Sequence, residues 1–120
     1  MAFTFLRLNA VTRGDRHETI TRAERAIQEC GFVTDFHMFS NQSISLNFEL
    51  AVGKVGTLYG LLQDTGLKFS EESRRLLENF QRGMEQLNAE ARASEVTGTL
   101  QITFFHEEPD LRIEVPPIPG

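Results

Sequence analysis

Apolar and polar positions alternate with a period of two along four stretches of this chain, and recur at helical spacing along three more. In residues 3–11, Leu6, Leu8 and Ala10 point one way, and Phe3, Phe5, Arg7 and Asn9 the other. In residues 32–40, Phe32, Phe36 and Met38 share one face, with Asp35, His37 and Phe39 on its reverse. Residues 44–52 are the most regular: Ile44, Leu46, Phe48, Leu50 and Val52 alternate with Ser45, Asn47, Glu49 and Ala51, as in a sheet with one wet face. Residues 97–106 carry Leu100, Ile102 and Phe104 inward and Thr99, Gln101, Thr103 and Phe105 outward. Residues 111–115 could add one more short strand.

Asp15, with Glu18 three residues on, predicts a helix N-terminus. That helix runs to Cys30 on a stripe of Ile20, Ala23 and Ile27 with Ala26 beside it, and Gly31 falls at the C′ position. Val55, Leu58, Tyr59, Leu61 and Leu62 predict a short second helix ended by Gly66, followed by an extended connector at residues 67–69. Ser70 then caps a long helix over residues 71–93, with Leu76, Leu77, Phe80, Met84, Leu87 and Ala91 on one face. Such a helix is roughly 34 Å long, more than a small sheet needs. Its end therefore overhangs onto a partner subunit, or it kinks at Gly83. Residues 41–42 make a hairpin turn, and the proline-rich residues 116–120 form an extended tail that no ladder can use.

The order reads β-α-β-β-α-β: an α+β, ferredoxin-like sandwich with an antiparallel sheet, helices on one face and an extra long helix before the last strand. It occupies residues 1–115 as a single domain, with residues 116–120 as tail. The covered face is built from Leu6, Leu8, Phe36, Met38, Leu46, Phe48, Leu100 and Ile102. The other face mixes Phe3, Phe5, Phe39 and Phe105 with polar residues. Exposed apolar surface of that kind marks association, so a homo-oligomer, a dimer through the open face, is expected.

Composition narrows the function classes. The chain has 120 residues, ten Phe, no Trp and a net charge of −5, which disfavours nucleic acid and anionic membranes as partners. Ten of its cations are Arg, only Lys54 and Lys68 being lysine. One cysteine, Cys30, permits no internal disulfide. No leader pattern and no apolar run of membrane-spanning length is seen, so a cytoplasmic location is expected.

Chemistry-bearing motifs are sparse. The turn Thr12-Arg13-Gly14-Asp15-Arg16-His17 joins a glycine, two guanidinium groups and a helix N-terminus, which suits a small anionic ligand. The same residues also serve as a plain capped turn. Gly53-Lys54-Val55-Gly56 lacks the full phosphate-loop pattern and reads as a strand-to-helix turn. His17, His37 and His106 show no metal-ligand spacing, and Cys30 has no partner at such spacing. His106-Glu107-Glu108 reads as a charged strand end. Cys30, at the negative end of a helix, reads as a small core residue. No catalytic set, metal or cofactor is assigned.

Over residues 3–106 the chain resembles an ACT-like regulatory domain, in the strand Leu6-Arg7-Leu8-Asn9-Ala10-Val11, Gly14, the helix to Cys30, the hairpin at Asn41 and Val55-Gly56-Thr57-Leu58. The resemblance implies dimerisation and small-molecule binding near the Thr12 turn. The usual Asp-x-Pro-Gly turn is absent. Ser43-Ile44-Ser45-Leu46-Asn47-Phe48 does not supply the basic signature of RNA-recognition domains. Arg16 and Asn47 sit where acylphosphatases place a turn arginine and a third-strand asparagine, though that family's glycine- and valine-rich turn is missing. The expected function is a non-enzymatic, oligomeric module that binds a small ligand or acts in regulation. Its rivals are a small hydrolase using Arg16 and Asn47, and a purely structural interaction domain.

Overall fold

A computed structural model describes residues 5–40 and 42–105, residue 40 by its backbone alone. Phe3, His106, the short strand at 111–115 and the 116–120 tail lie outside the described residues. In chain order the elements are β1 (Phe5–Thr12), α1 (Arg16–Cys30), β2 (Gly31–Ser40), β3 (Ser43–Ala51), a 3-10 turn (Val52–Lys54), α2 (Val55–Gln63), β4 (Lys68–Phe69), α3 (Glu71–Met84), α4 (Ala89–Arg92) and β5 (Glu95–Phe104).

The fold is α+β, with one five-stranded sheet ordered β2-β3-β5-β1-β4. The ferredoxin-like expectation needs correction here. Its wholly antiparallel sheet is not found, because β5 enters between β3 and β1 and runs parallel to β1 over eight register pairs, from Phe5 opposite Thr97 to Thr12 opposite Phe104. The connector at residues 67–69 supplies the reason. Lys68 and Phe69 pair with Val11 and Ala10 as β4, which occupies the outer side of β1. The strand that follows α3 then has only the inner side of β1 to join.

The core lies between one sheet face and the helices. Leu6, Leu8, Ile44, Leu46, Phe48, Val96, Leu100 and Ile102 are buried there with Ala23, Ile27, Leu58, Leu62, Leu77 and Phe80. Two of the residues assigned to this face are not in the core: Phe36 and Met38 are 55% and 46% exposed. They stand opposite Leu46 and Ile44 on the edge strand, beyond the reach of the helices, while Val33 further back is partly buried. Phe32 changes face as well. A register shift between Val33 and Asp35 sets Phe32 opposite Glu49, on the reverse of the sheet from Phe36. A bulge inserts one residue, and one residue inverts the alternation.

Helix ends follow local chemistry. Asp15 accepts the Glu18 N–H at 2.9 Å, and Ser70 accepts the Ser73 N–H at 3.1 Å. The expected helix over residues 71–93 ends at Met84. Asn88 then caps a new turn, its carboxamide oxygen accepting the Ala91 N–H at 2.8 Å, and the Arg92 guanidinium folds back to donate to the Met84 carbonyl at 2.9 and 3.2 Å. A side-chain cap in mid-pattern competes with continued helix. Gly31 is not a left-handed cap: its φ is −168°, and its N–H donates to the Ile27 carbonyl. Glycine is needed because a Cβ would collide with the Glu49 carbonyl and Leu50 of β3. Among the described glycines only Gly66, just past the end of α2, has positive φ, 88°.

Candidate interaction surface

The two edges of the sheet differ. On the β1 side, β4 covers Ala10 and Val11, and the N-terminus of α3 takes over where β4 ends. The Asn9 N–H donates to Ser73 Oγ at 2.8 Å, and the Asn9 carbonyl accepts the Ser70 N–H at 2.9 Å. Both backbone groups of Asn9 are thus satisfied by a helix cap.

On the β2 side, residues 34–39 are exposed throughout. Phe32, Phe36, Met38 and Phe39 are 50%, 55%, 46% and 59% exposed on this one strand. The direction of its free backbone groups follows from the ladder. The Phe104 N–H donates to the Gln42 carbonyl at 2.8 Å, so even-numbered positions of β5 bond towards β3. Their partners Ile44 and Leu46 bond back towards β5. Alternation leaves Ser45 and Asn47 to bond His37 and Asp35 of β2, and turns the backbone groups of Phe36 and Met38 outward. The Phe36 N–H is met by its neighbour's carboxylate, donating to Asp35 Oδ1 at 2.8 Å.

The sheet face away from the core is polar at its centre and aromatic at its corners. Thr99 Oγ1 donates to Asn47 Oδ1 at 2.8 Å, and Gln101 Nε2 donates to Ser43 Oγ at 3.2 Å. Of the residues expected to form an interface there, Phe5, Phe39 and Phe105 are 47%, 59% and 50% exposed, and Phe3 lies outside the described residues. They do not share one patch. Phe5 stands at the opposite end of the strands from Phe39 and Phe105, opposite Thr97. The Arg7 guanidinium lies 5.5 Å from the Phe5 ring centre, and the His37 ring meets Phe39 edge-on at 5.1 Å. Sequence reasoning missed Phe32, Phe36 and Met38 as surface residues. The available signal was large apolar side chains at both even and odd positions of one strand, where a half-buried strand keeps them to one parity.

The turn expected to hold a ligand is closed on itself. Thr12 is buried, and its hydroxyl accepts the Gly14 N–H at 3.0 Å, while its carbonyl accepts the Phe105 N–H at 2.9 Å. Asp15 occupies the helix N-terminus that an anion would use. Arg13, Gly14 and His17 are exposed and Arg16 is half-buried. Arg16 and Asn47 are not brought together: Arg16 opens α1 on the core side of the sheet, and Asn47 lies in mid-strand on the reverse, bound to Thr99. Of residues 53–56, Gly53 and Lys54 lie in the 3-10 turn and Val55 and Gly56 open α2, with Gly53 packed near Arg92 and Gly56 near Gln81.

A groove of about 330 Å3 lies between β1 and α3, lined by Arg7, Asn9, Glu72, Arg75 and Asn79 among others. Cys30 is buried, and that burial pushes its thiol pKa up, with the Lys54 charge pulling partly against it and Glu29 adding to it. Among the described residues no cluster of three or more His, Cys, Asp or Glu could hold a metal ion, and no helix is long and apolar enough to cross a membrane.

Among the described residues, fold and surface together define an α+β arrangement that leaves one aromatic strand edge uncovered. No family model, no curated protein and no solved structure matches the chain.

Proposed function

We propose that this protein works by association, as a non-enzymatic, self-assembling interaction module whose docking element is the β2 edge. The observation that carries this reading is the concentration of Phe32, Phe36, Met38 and Phe39, each about half exposed, on a single edge strand. Scattered apolar residues on a surface are ordinary. Long apolar edge strands are not, because they template pairing with other chains and are commonly blunted by lysine, proline, bulges or a covering segment, and the two register shifts of β2 leave residues 35–38 as its regular run. Along residues 31–40 the charged or titratable side chains are Asp35 and His37 alone.

The test is sedimentation velocity over a concentration series, with Met38→Pro beside the wild-type chain. The Met38 N–H points away from β3, so proline there removes no bond within the ladder and is tolerated at an edge. The expected result is a concentration-dependent oligomer for the wild type, and a folded monomer, by circular dichroism, for the variant. A variant that associates as well as the wild type refutes the edge as the docking element.

A small anionic ligand is a second reading, supported by the groove that Arg7 and Arg75 both line. A thermal-shift series with inorganic phosphate and short carboxylates tests it. The stabilisation should disappear in Arg75→Ala, and a shift unchanged in that variant would place any binding elsewhere.

A further inference from the structure

We infer that the partner of the β2 edge is the β2 edge of a second copy, antiparallel and centred on Phe36, so that Asp35 of each chain stands opposite His37 of the other. This rests on the proposed association and specifies its geometry.

Three constraints select that register. The first is the dyad. A two-fold axis perpendicular to the sheet keeps the polar face of both copies on one side, so opposed residues must share a face. Asp35 and His37 lie on the polar face, opposite Asn47 and Ser45, and Phe36 and Met38 lie on the core side, opposite Leu46 and Ile44. The second is the backbone. Between the two register shifts of β2 the regular run is residues 35–38, and there only Phe36 and Met38 turn their backbone groups outward. The third is charge. Centring the pair on Phe36 opposes Asp35 to the second copy's His37, twice by symmetry. A shift to one side opposes carboxylate to carboxylate at Asp35. A shift to the other opposes imidazole to imidazole at His37 and sets Asp35 against Phe39. Asp35 and His37 face one another only in the Phe36-centred register, and the opposed carboxylates of the Asp35-centred one are unfavourable.

The apolar groups agree with this choice. On the core side the two Phe36 rings meet at the dyad, each with the other chain's Met38 as its diagonal neighbour, which covers side chains that are 55% and 46% exposed in the single chain. The Asp35 carboxylate has a place in the exchange. In the single chain it holds the Phe36 N–H at 2.8 Å. On pairing, that N–H passes to the carbonyl of the second Phe36, and the carboxylate is released to the imidazole across the strand. The product is one continuous sheet of two five-stranded halves.

A charge exchange in the full chain tests the register. Asp35→Lys opposes lysine to histidine twice, and His37→Glu opposes aspartate to glutamate twice. Each variant alone should dimerise about tenfold or more weakly than the wild type, as expected when two cross-strand pairs are lost and, in His37→Glu, replaced by opposed carboxylates. In an equimolar mixture the introduced lysine of one chain faces the introduced glutamate of the other, and the His37 and Asp35 that remain face each other, so sedimentation should show a recovered heterodimer. A second measurement is independent of charge: a spin label on Phe36→Cys, in a Cys30→Ala background, should show strong dipolar broadening, since this register puts the labelled sites about 5.5 Å apart at Cα. Single variants that dimerise like the wild type, or a mixture with no recovery, overturn the register while leaving association through β2 standing. A wild-type chain that stays monomeric throughout overturns both.

Discussion

Replacing Gly98 by alanine sets two opposing effects against each other, and the geometry decides between them. Gly98 lies in the middle of β5, opposite Phe48 of β3 and Leu6 of β1. A Cβ there would stand 2.5 and 2.7 Å from Cζ and Cε1 of Phe48 and 2.8 Å from the Leu6 carbonyl oxygen. Carbon atoms in contact prefer about 3.5–4.0 Å, so the overlap is close to 1 Å. In favour of alanine is the lost freedom of the unfolded chain, about 0.4–1 kcal/mol. Against it is overpacking, typically about 1–3 kcal/mol. The upper end applies, because Phe48 is fully buried and the carbonyl belongs to the backbone of a neighbouring strand, so neither can yield cheaply. The net expectation is a destabilisation of about 2 kcal/mol, or a fall of roughly 8 °C in Tm for a domain of this size. Urea denaturation followed by circular dichroism measures it. Phe48→Leu gives the methyl group room, so the double variant should be at least about 1 kcal/mol more stable than the sum of the single effects. A Gly98→Ala chain as stable as the wild type, or strict additivity in the double variant, refutes the close packing of β5 between β1 and β3.

Other expectations concern caps and the thiol. Asp15→Ala should cost about 1 kcal/mol in urea denaturation, since the Glu18 N–H loses its acceptor at the start of α1. Ser73→Ala should cost about 1–3 kcal/mol and hasten amide exchange at Asn9, whose N–H would be left without the hydroxyl that now accepts it. Cys30 should react slowly with a thiol reagent in the folded chain. Its pKa is raised by burial on folding, so its contribution to stability is whole below the ordinary thiol range and is lost as pH rises through the raised value. Stability curves of wild type and Cys30→Ala, compared from neutral to alkaline pH, should therefore converge as the thiol ionises.

What could be read from the sequence is what local periodicity determines. The inward sets of β1, β3 and β5 are Leu6, Leu8 and Ala10; Ile44, Leu46, Phe48 and Leu50; and Leu100, Ile102 and Phe104. All lie in the core as their alternation requires. Asp15 and Ser70 cap where they were expected to cap. What could not be read is long-range. Nothing in residues 97–106 says which strands will flank them, and it is the pairing of two residues, Lys68 and Phe69, with β1 that sends β5 inward. Alternation also presumes an unbroken register, and the shift at residues 33–35 inverts the facing of Phe32. The end of α3 was within reach, because Asn88 followed by Ala89, Glu90 and Ala91 is an N-cap sequence inside an otherwise continuous stripe. The Thr12–His17 turn was legible as a turn. The Thr12 hydroxyl and the Asp15 carboxylate are taken up by the turn and by the helix cap, a matter of three-dimensional geometry that residue types alone do not settle.

The two sheet edges differ in how their backbone groups are held, not in exposure alone. A chain that needs to stay solitary must seal both edges, since either can template pairing. This chain seals one of them over residues 9–11: β4 covers two residues of β1, and where β4 stops, Ser70 and Ser73 satisfy both backbone groups of Asn9. Ser73 is itself buried, so the seal belongs to the folded core. At the other edge a short side chain, Asp35, holds a single outward N–H, while Phe36 and Met38 stand exposed beside it. That carboxylate can let go without disturbing any packed group, whereas Ser73 cannot. A seal that opens at little cost, set among side chains that gain from being covered, is what a surface built for reversible pairing requires.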